Sequence, residues 1–256
     1  MKIIVRILLE TIPKQLISNL VGLIAAVKMP KFMRSLIYPI YAKFYALELA
    51  EAEKDLTEYP TFKAFFARRL KPGVRPIGPG LISPVDGCLN AFGQIQAGSL
   101  HQIKGWNYSL SDLLQNQALA KQLEGGQYAT IYLAPGDYHR IHAPLSGSVT
   151  SVVALPGKLF PVNQLSLNAV ADLFVRNKRV VLSFNAGQVV LVIVGALNVG
   201  SIELFVNAGA KVEKGQEIAS FNLGSTVVLL LAPQVHTLTD NISQQSIFRV
   251  GMTIAN

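Results

Sequence analysis

The most restrictive feature of this chain is a change of hydrophobic period near Pro76. Beyond that residue, short β-branched runs alternate with Gly, Pro and Asn, a pattern typical of antiparallel strands joined by turns. The runs cover residues 131–133, 147–155, 179–184, 189–194 and 226–231. They predict an α+β chain that is mainly β, with an antiparallel core resembling a barrel or a sandwich.

Two segments of this β region resemble each other. ISPVDGCLNAFG (82–93) and HAPLSGSVTSVV (142–153) share a Pro, an aliphatic residue, Asp or Ser, and then a Gly before a strand. This similarity predicts two related hairpins in one barrel. A third segment, NAGAKVEKGQEIASF (207–221), has the turn spacing of biotinyl and lipoyl carrier half-barrels, but it lacks the Met-Lys-Met of a carrier. The pattern therefore favours the hairpin geometry over a carrier function.

Residues 1–70 have a helical pattern instead. Lys2, Arg6, Glu10 and Lys14 recur every four residues and form a polar stripe. Pro13 starts a second helix over 13–27, and a short helix is predicted over 61–70. The sequence thus predicts a basic amphipathic helical segment (1–70) followed by a β-rich domain (71–256).

The charge of the helical segment indicates a lipid surface. Residues 1–50 carry seven cations and two anions, which is +5 of the total net charge of +8, while charged residues make up only 15% of the chain. Anionic headgroups attract such segments, and the cations form no tract with interleaved aromatics that would favour nucleic acid. The alternative is that the helices simply pack on the core.

Neither a spanning helix nor a secretory signal is predicted. The uncharged runs 180–202 and 218–239 contain Asn, Gly and Pro in positions typical of turns. Glu10 and Lys14 interrupt the apolar stretch that a signal peptide needs, so the N-terminal segment is expected to stay attached.

Few residues are candidates for chemistry. The single cysteine, Cys88, excludes an intrachain disulfide and a multi-cysteine metal site. His139 and His142 lie three apart in YHRIH, so on an extended strand they face opposite sides. A zinc site would use both with Asp86, but no metalloprotease or cysteine pattern supports it, and no metal is predicted. Gly224-Ser225 reads by itself as a turn before a strand.

Seven blocks in a fixed order make the chain recognisable. It resembles the phosphatidylserine decarboxylase family, most strongly over residues 60–232, in these blocks: TFKAFFARRLKPGVRPI (61–77), ISPVDGCL (82–89), YHRIHAPLSG (138–147), LFPVN (159–163), LFVRNKRVV (173–181), VIVGALNVGSI (192–202) and KGQEIASFNLGSTVVLL (214–230).

The resemblance implies an enzyme that makes its own pyruvoyl cofactor. Ser225 would attack the carbonyl of Gly224, with His142 as base and Asp86 orienting the imidazolium, as in a serine–histidine–aspartate triad. The chain would be cut into a β chain (1–224) and an α chain (225–256). The pyruvoyl group on residue 225 would form a Schiff base with the amine of phosphatidylserine, and CO2 loss would give phosphatidylethanolamine. His139 would supply the proton or contact the headgroup.

The implied partners follow from that reaction. They are the phospholipid substrate, an anionic membrane surface and the two cleaved chains held together, with a homodimer allowed and no nucleic acid. The expected location is peripheral, on the cytoplasmic face of the cell membrane. A zinc-dependent hydrolase and a non-catalytic membrane-binding or carrier module are the alternatives; both predict an uncut chain.

Overall fold

A computed structural model describes residues 2–102, 106–197, 202–221 and 225–256 of the chain. The helices are short after the first three. They are α1 (Lys2–Thr11), α2 (Lys14–Ala26), α3 (Lys31–Phe44), α4 (Phe62–Phe66), α5 (Leu110–Leu114), α6 (Gln117–Gln122), α7 (Gln164–Ala169) and α8 (Leu173–Arg176), with 3-10 turns at Leu49–Glu51, Leu56–Glu58 and Asn185–Gly187.

The predicted N-terminal helices are confirmed, with one correction. Pro13 separates α1 from α2, because a proline has no backbone N–H to continue the helix. The break turns Lys14 inward: its side chain is buried, donates to the carbonyls of Leu9 and Ile12, and lies over the Phe160 ring. The regular polar stripe therefore ends before Lys14. Glu10 holds α1 on the body through Lys158 and Arg176.

The strands form one large antiparallel sheet and three small sheets. They are β1 (Leu81–Ile82), β2 (Gly87–Gln94), β3 (Ser99–Gln102), β4 (Trp106–Ser109), β5 (Gln127–Leu133), β6 (Arg140–His142), β7 (Gly147–Leu155), β8 (Arg179–Phe184), β9 (Val189–Val194), β10 (Ile202–Leu204), β11 (Lys211–Val212), β12 (Glu217–Phe221), β13 (Ser225–Leu231), β14 (Ile247–Phe248) and β15 (Thr253–Ala255). The large sheet has the order β11-β7-β8-β9-β13-β5-β2-β14. The small sheets are β10-β12-β6, β1-β15 and β3-β4.

The middle of the large sheet is buried on both faces. Every residue of β8 and β9 is buried, as is β13 from Thr226 onward. This double burial explains the two long uncharged runs: the described part of the first contains β8 and β9 with a 3-10 turn between them, and that of the second contains residues of β12 and β13. In the part of the chain that the structure describes, no helix is long and apolar enough to cross a bilayer.

The predicted barrel and its hairpins need correction. Among the described residues the large sheet is open, because the end strands β11 and β14 each pair with one neighbour. The two similar segments are not hairpins either: β1 pairs with β15 and β2 with β5, while β6 pairs with β12 and β7 with β8 and β11. Each segment is a strand, a turn and a second strand that leaves for another sheet.

The similarity between those segments is nevertheless visible in three dimensions. The backbone N–H of Ile82 donates to the carbonyl of Pro144 at 3.0 Å, and the N–H of His142 donates to the carbonyl of Pro84 at 2.8 Å. The two turns are thus joined by a reciprocal pair of hydrogen bonds between equivalent positions. This pair places His142 beside the turn that carries Asp86.

Candidate active site

Ser225 is the first residue of β13, a central strand of the large sheet, and the described residues resume with it after residue 221. Its backbone pairs with Leu133 of β5, and the next residue, Thr226, pairs with Tyr132. Tyr132 in turn pairs with Cys88 of β2 on its other side. The start of β13 and the start of β2 therefore lie at the same end of the sheet, about 10 Å apart across β5. Gly224, the other half of the predicted cleavage site, lies outside the described residues.

His142 is held as a neutral imidazole with one defined tautomer. Its Nδ1 lies 2.6 Å from the carbonyl oxygen of Gly215, which can only accept, so Nδ1 carries the proton. Its Nε2 lies 3.0 Å from the hydroxyl of Tyr138 and accepts from it. Burial lowers the pKa of His142, despite the opposing charges of Glu217 and Asp86. A neutral Nε2 is the form that a general base requires.

The hydroxyl on His142 belongs to a small polar network. The Tyr138 hydroxyl also lies 3.5 Å from Oε1 of Glu217, and Oε2 of Glu217 accepts from Arg140 at 2.7 Å. Glu217 stands opposite His142 in the β6–β12 ladder. Burial and the Glu217 charge raise the pKa of Tyr138, so its hydroxyl remains a donor at neutral pH.

Asp86 is engaged by groups other than the imidazole. Its carboxylate accepts from Nη2 of Arg75 at 2.6 Å and from the backbone N–H of Val250 at 2.7 Å. Arg75 also binds Glu51 through both terminal nitrogens. In this state the orienting group on His142 is the Gly215 carbonyl, and Asp86 acts on the imidazole through its charge. The triad role of Asp86 stays a prediction.

His139 occupies a different and drier environment. It is fully buried, with its ring centroid 4.1 Å from that of Phe66. Its Nδ1 donates to the carbonyl of Asp137 at 2.8 Å, and its own carbonyl accepts from the N–H of Phe221 at 3.0 Å. Among the described residues, Nε2 has no partner. Burial, which disfavours the charged form, lowers the pKa of His139 to about 3.

The prediction that the two histidines face opposite sides agrees with these contacts. His142 points to Gly215 and Tyr138, whereas His139 packs against Phe66. The described residues contain no group of three or more His, Cys, Asp or Glu side chains arranged to hold a metal ion. Burial raises the pKa of the Cys88 thiol, which keeps it protonated.

Sequence reasoning overlooked several members of the site. Tyr138 and Arg75 lie inside blocks that carried the family resemblance, so a closer inspection of those blocks could have found them. Gly215 contributes only a backbone carbonyl, which leaves no signal in the sequence. Glu51 comes from the helical segment, where no motif stands out.

Comparisons with known proteins agree on one family. Residues 62–256 match the family model described as phosphatidylserine decarboxylase. A phosphatidylserine decarboxylase proenzyme of Anaeromyxobacter sp. (strain K) is 41% identical, covering 95% of this chain and 94% of its own length. The proenzyme of Myxococcus xanthus is 37% identical with 96% of both chains covered, and that of Shewanella halifaxensis is 41% identical with 98% of both covered.

Proposed function

The chain belongs to the phosphatidylserine decarboxylase family, and from that premise we propose that it converts phosphatidylserine to phosphatidylethanolamine and CO2 with a pyruvoyl group made from its own Ser225. The observation that carries the proposal is the place of Ser225. It is the first residue of a central strand, at the sheet end where His142 and Asp86 are brought together by the reciprocal hydrogen bonds of their turns.

Maturation requires a nucleophile, a base and a bond that can break. In the proposed series of steps, Nε2 of His142 takes the hydroxyl proton of Ser225 while the Ser225 oxygen attacks the Gly224 carbonyl carbon. The imidazolium returns that proton to the Ser225 nitrogen as the C–N bond breaks, so an ester replaces the peptide bond. Removal of the Ser225 α-proton then expels the Gly224 carboxylate and leaves a dehydroalanine. Addition of water and loss of ammonia give the ketone. Because Nε2 of His142 accepts from Tyr138 in this state, that hydrogen bond must be exchanged for one from Ser225.

The fold around residue 225 is suited to hold a pyruvoyl group. Pairing of β13 with β5 and β9 fixes the backbone of residue 225 onward without using the bond that is cut. When present, the pyruvoyl ketone supplies an electron-withdrawing centre to which the substrate amine attaches.

The chain's own residues would control the proton that decarboxylation needs. The Asp137 carbonyl fixes the proton of His139 on Nδ1, so Nε2 starts as an acceptor. We propose that His139 supplies the proton to the carbon that loses CO2. Decarboxylation consumes one proton, so Nε2 must take up a proton from solvent in each turnover, and the burial that lowers the pKa of His139 makes the protonated imidazole a strong donor.

The membrane role is proposed from the surface of α2 and α3. Both helices expose large apolar side chains: Leu16, Leu20, Leu23 and Ile24 on α2, and Phe32, Leu36, Ile40 and Phe44 on α3. Lys28, Lys31 and Lys43 lie among them in sequence. Such a surface suits peripheral binding to an anionic bilayer, and we propose the cytoplasmic face of the cell membrane as its place. A homodimer stays a prediction.

One variant tests the central proposal. Ser225→Ala has no β-oxygen to attack Gly224, so it should remain a single chain without decarboxylase activity. The unmodified chain should give fragments of 224 and 32 residues on a denaturing gel, with the pyruvoyl mass on the smaller one. Ser243→Ala, an exposed serine in the same fragment, is the control and should cleave normally. Cleavage of Ser225→Ala at residue 224 would refute the proposal.

No specific observation on the described residues favours the zinc-dependent hydrolase or the carrier module.

A further inference from the structure

Arg68 is a buried cation without a carboxylate partner among the described residues. Its side chain is 4% exposed. Within the described part of the chain, its guanidinium donates from Nη2 to the carbonyls of Gly136 at 3.2 Å and Asp137 at 3.5 Å. Its Nε and Nη1 have no hydrogen-bond partner among the same residues. A buried charge left this way costs several kcal/mol, so such an arginine is expected to meet an anion that the protein alone does not supply.

The neighbouring charges are already committed elsewhere. Asp86 is bound by Arg75 and by the Val250 N–H. The carboxylate of Asp137 accepts from the N–H of Ala134 at 2.7 Å. Glu217 pairs with Arg140 and Arg69.

Arg68 also lies next to the site of the chemistry. The Asp137 carbonyl that it approaches is the same oxygen that accepts from Nδ1 of His139. Arg68 forms part of the wall of a small cavity of about 140 Å³ that also contains Asp86 and Tyr138. An anion on Arg68 would therefore lie close to Asp137, whose carbonyl holds His139.

A larger cleft reaches Arg68 from the surface. It has a volume of about 490 Å³, and the described residues of its wall carry five cations and three carboxylates. Ser220, five residues before Ser225, contributes to the same wall, and its buried hydroxyl has no partner among the described residues. Two residues with unpaired buried donors, Arg68 and Ser220, thus belong to the wall of a cleft with excess positive charge.

We propose that Arg68, assisted by Ser220, binds the phosphodiester of the phospholipid headgroup. This inference rests on the proposed function for the identity of the lipid. Phosphatidylserine brings two anions, the phosphodiester and the carboxylate. A cation on the carboxylate would stabilise the charge that has to leave and so oppose the reaction, whereas a cation on the phosphodiester binds substrate, transition state and product alike. Arg68 is thus a binding residue rather than a catalytic one.

The kinetic test uses Arg68→Gln, Arg68→Lys and Ser220→Ala, with Lys121→Gln as control. Lys121 is an exposed cation on α6, outside the wall of the cleft. Intact mass first establishes that each protein is cut at 224–225. Arg68→Gln should then raise the KM for phosphatidylserine in mixed micelles by about 10- to 100-fold, the range for losing a hydrogen bond to a charged group. Its kcat should stay within about threefold, as for an interaction equal in ground and transition states. Arg68→Lys and Ser220→Ala should be intermediate, and Lys121→Gln should behave as the unmodified enzyme.

Product inhibition and direct binding identify the anion. Phosphatidylethanolamine keeps the phosphodiester and has no carboxylate, so Arg68→Gln should weaken its inhibition by the same factor as the KM. In the uncut Ser225→Ala chain, introducing Arg68→Gln as a second substitution should cause the same loss of affinity for glycerophosphoethanolamine, measured by titration. This arm needs no catalysis, so it tests the anion site even if the proposed decarboxylation fails.

Three results would overturn the assignment. An unchanged KM and unchanged glycerophosphoethanolamine binding in Arg68→Gln would leave Arg68 with a structural role, visible as a lower melting temperature alone. A raised KM with unchanged product inhibition would assign Arg68 to the carboxylate. Loss of self-cleavage in Arg68→Gln and in Arg68→Lys, with native circular dichroism, would place Arg68 in maturation.

Discussion

Two histidines three residues apart have different environments in this protein. His142 sits beside the Asp86 turn, with its Nε2 on a hydroxyl that can be exchanged. His139 is sealed against Phe66, and its Nε2 has no partner among the described residues. From these contacts we expect His142 to act in maturation and His139 in turnover.

Substitution of each histidine should therefore have different consequences. We expect His142→Ala to remain largely uncut, because Ser225 loses its base, while circular dichroism stays native. His139→Ala should be cut and carry the pyruvoyl mass, yet turn over phosphatidylserine about 10²- to 10⁴-fold more slowly, the usual range for a lost acid–base group. Full processing of His142→Ala, or near-normal turnover by His139→Ala, would contradict these roles.

His139 should also make the fold sensitive to acid. Its pKa is about 3 in the folded state, against 6.5 for an unperturbed histidine. Between these values the unfolded chain binds the proton and the folded chain does not, so the free energy of unfolding falls as pH decreases from about 6.5. The slope from this group is about 1.4 kcal/mol per pH unit.

The test compares His139→Asn with its parent in the single-chain Ser225→Ala background. Asn keeps a donor for the Asp137 carbonyl but does not titrate. Between pH 6.5 and 5, the parent should lose about 1.7 kcal/mol more unfolding free energy than the variant, as measured by urea denaturation. Parallel pH dependences would show that His139 is protonated as readily in the folded chain as in the unfolded one.

At the scale of elements, the apolar surface of α2 and α3 carries the membrane prediction. Leu23 and Phe32 are 69% and 72% exposed. Replacing both with Glu should reduce co-sedimentation with anionic vesicles at least about tenfold, because burying each such side chain contributes about 1.5–3 kcal/mol. Self-cleavage should be unaffected. The control is Val153→Glu with Met252→Glu, two exposed apolar residues on the β domain.

Salt provides a second measurement on the same surface. Raising ionic strength from 0.15 to 1 M shortens the screening length from about 8 to about 3 Å, so vesicle binding of the unmodified chain should weaken. If the double variant binds vesicles as well as the unmodified chain, the helices do not mediate membrane binding.

Element bounds could be predicted from sequence better than element partners. The predicted strands 147–155, 179–184 and 189–194 coincide with β7, β8 and β9, because runs rich in β-branched residues between turn residues define them locally. The pairing of β6 with β12 depends on residues about 75 positions apart, and no local pattern specifies it. For the same reason the hairpin interpretation failed.

The groups of the site also divide into those that the sequence predicts and those that it does not. Asp86, His139, His142 and Ser225 could be named from motifs, since each contributes a reactive side chain within a recognisable block. The carbonyls of Gly215 and Asp137, which fix both imidazole tautomers, could not, because every residue has a carbonyl and only the fold selects which one is used. The salt bridges of Arg75 to both Asp86 and Glu51 likewise join distant segments.

For the whole molecule, cleavage at 224–225 should leave the two fragments together. The smaller fragment supplies β13, which pairs with β5 and β9, as well as β14 and β15, which pair with β2 and β1. Arg249 adds ion pairs to Glu48 and Glu51. Native mass spectrometry should find one particle that contains both fragments, and urea should be needed to separate them. Separation in plain buffer would contradict this arrangement.

The central position of β13 also sets an order of events during synthesis. Residues 225–231 leave the ribosome after β5 and β9 but lie between them in the sheet. The large sheet therefore cannot be completed until this strand has been translated. A chain that stops early has neither Ser225 nor the strand that holds it beside the turns of Asp86 and His142. The proposed cofactor could then arise only in chains that have been translated through this strand and have folded. Synthesis, folding and activation would then occur in this order without a separate processing enzyme.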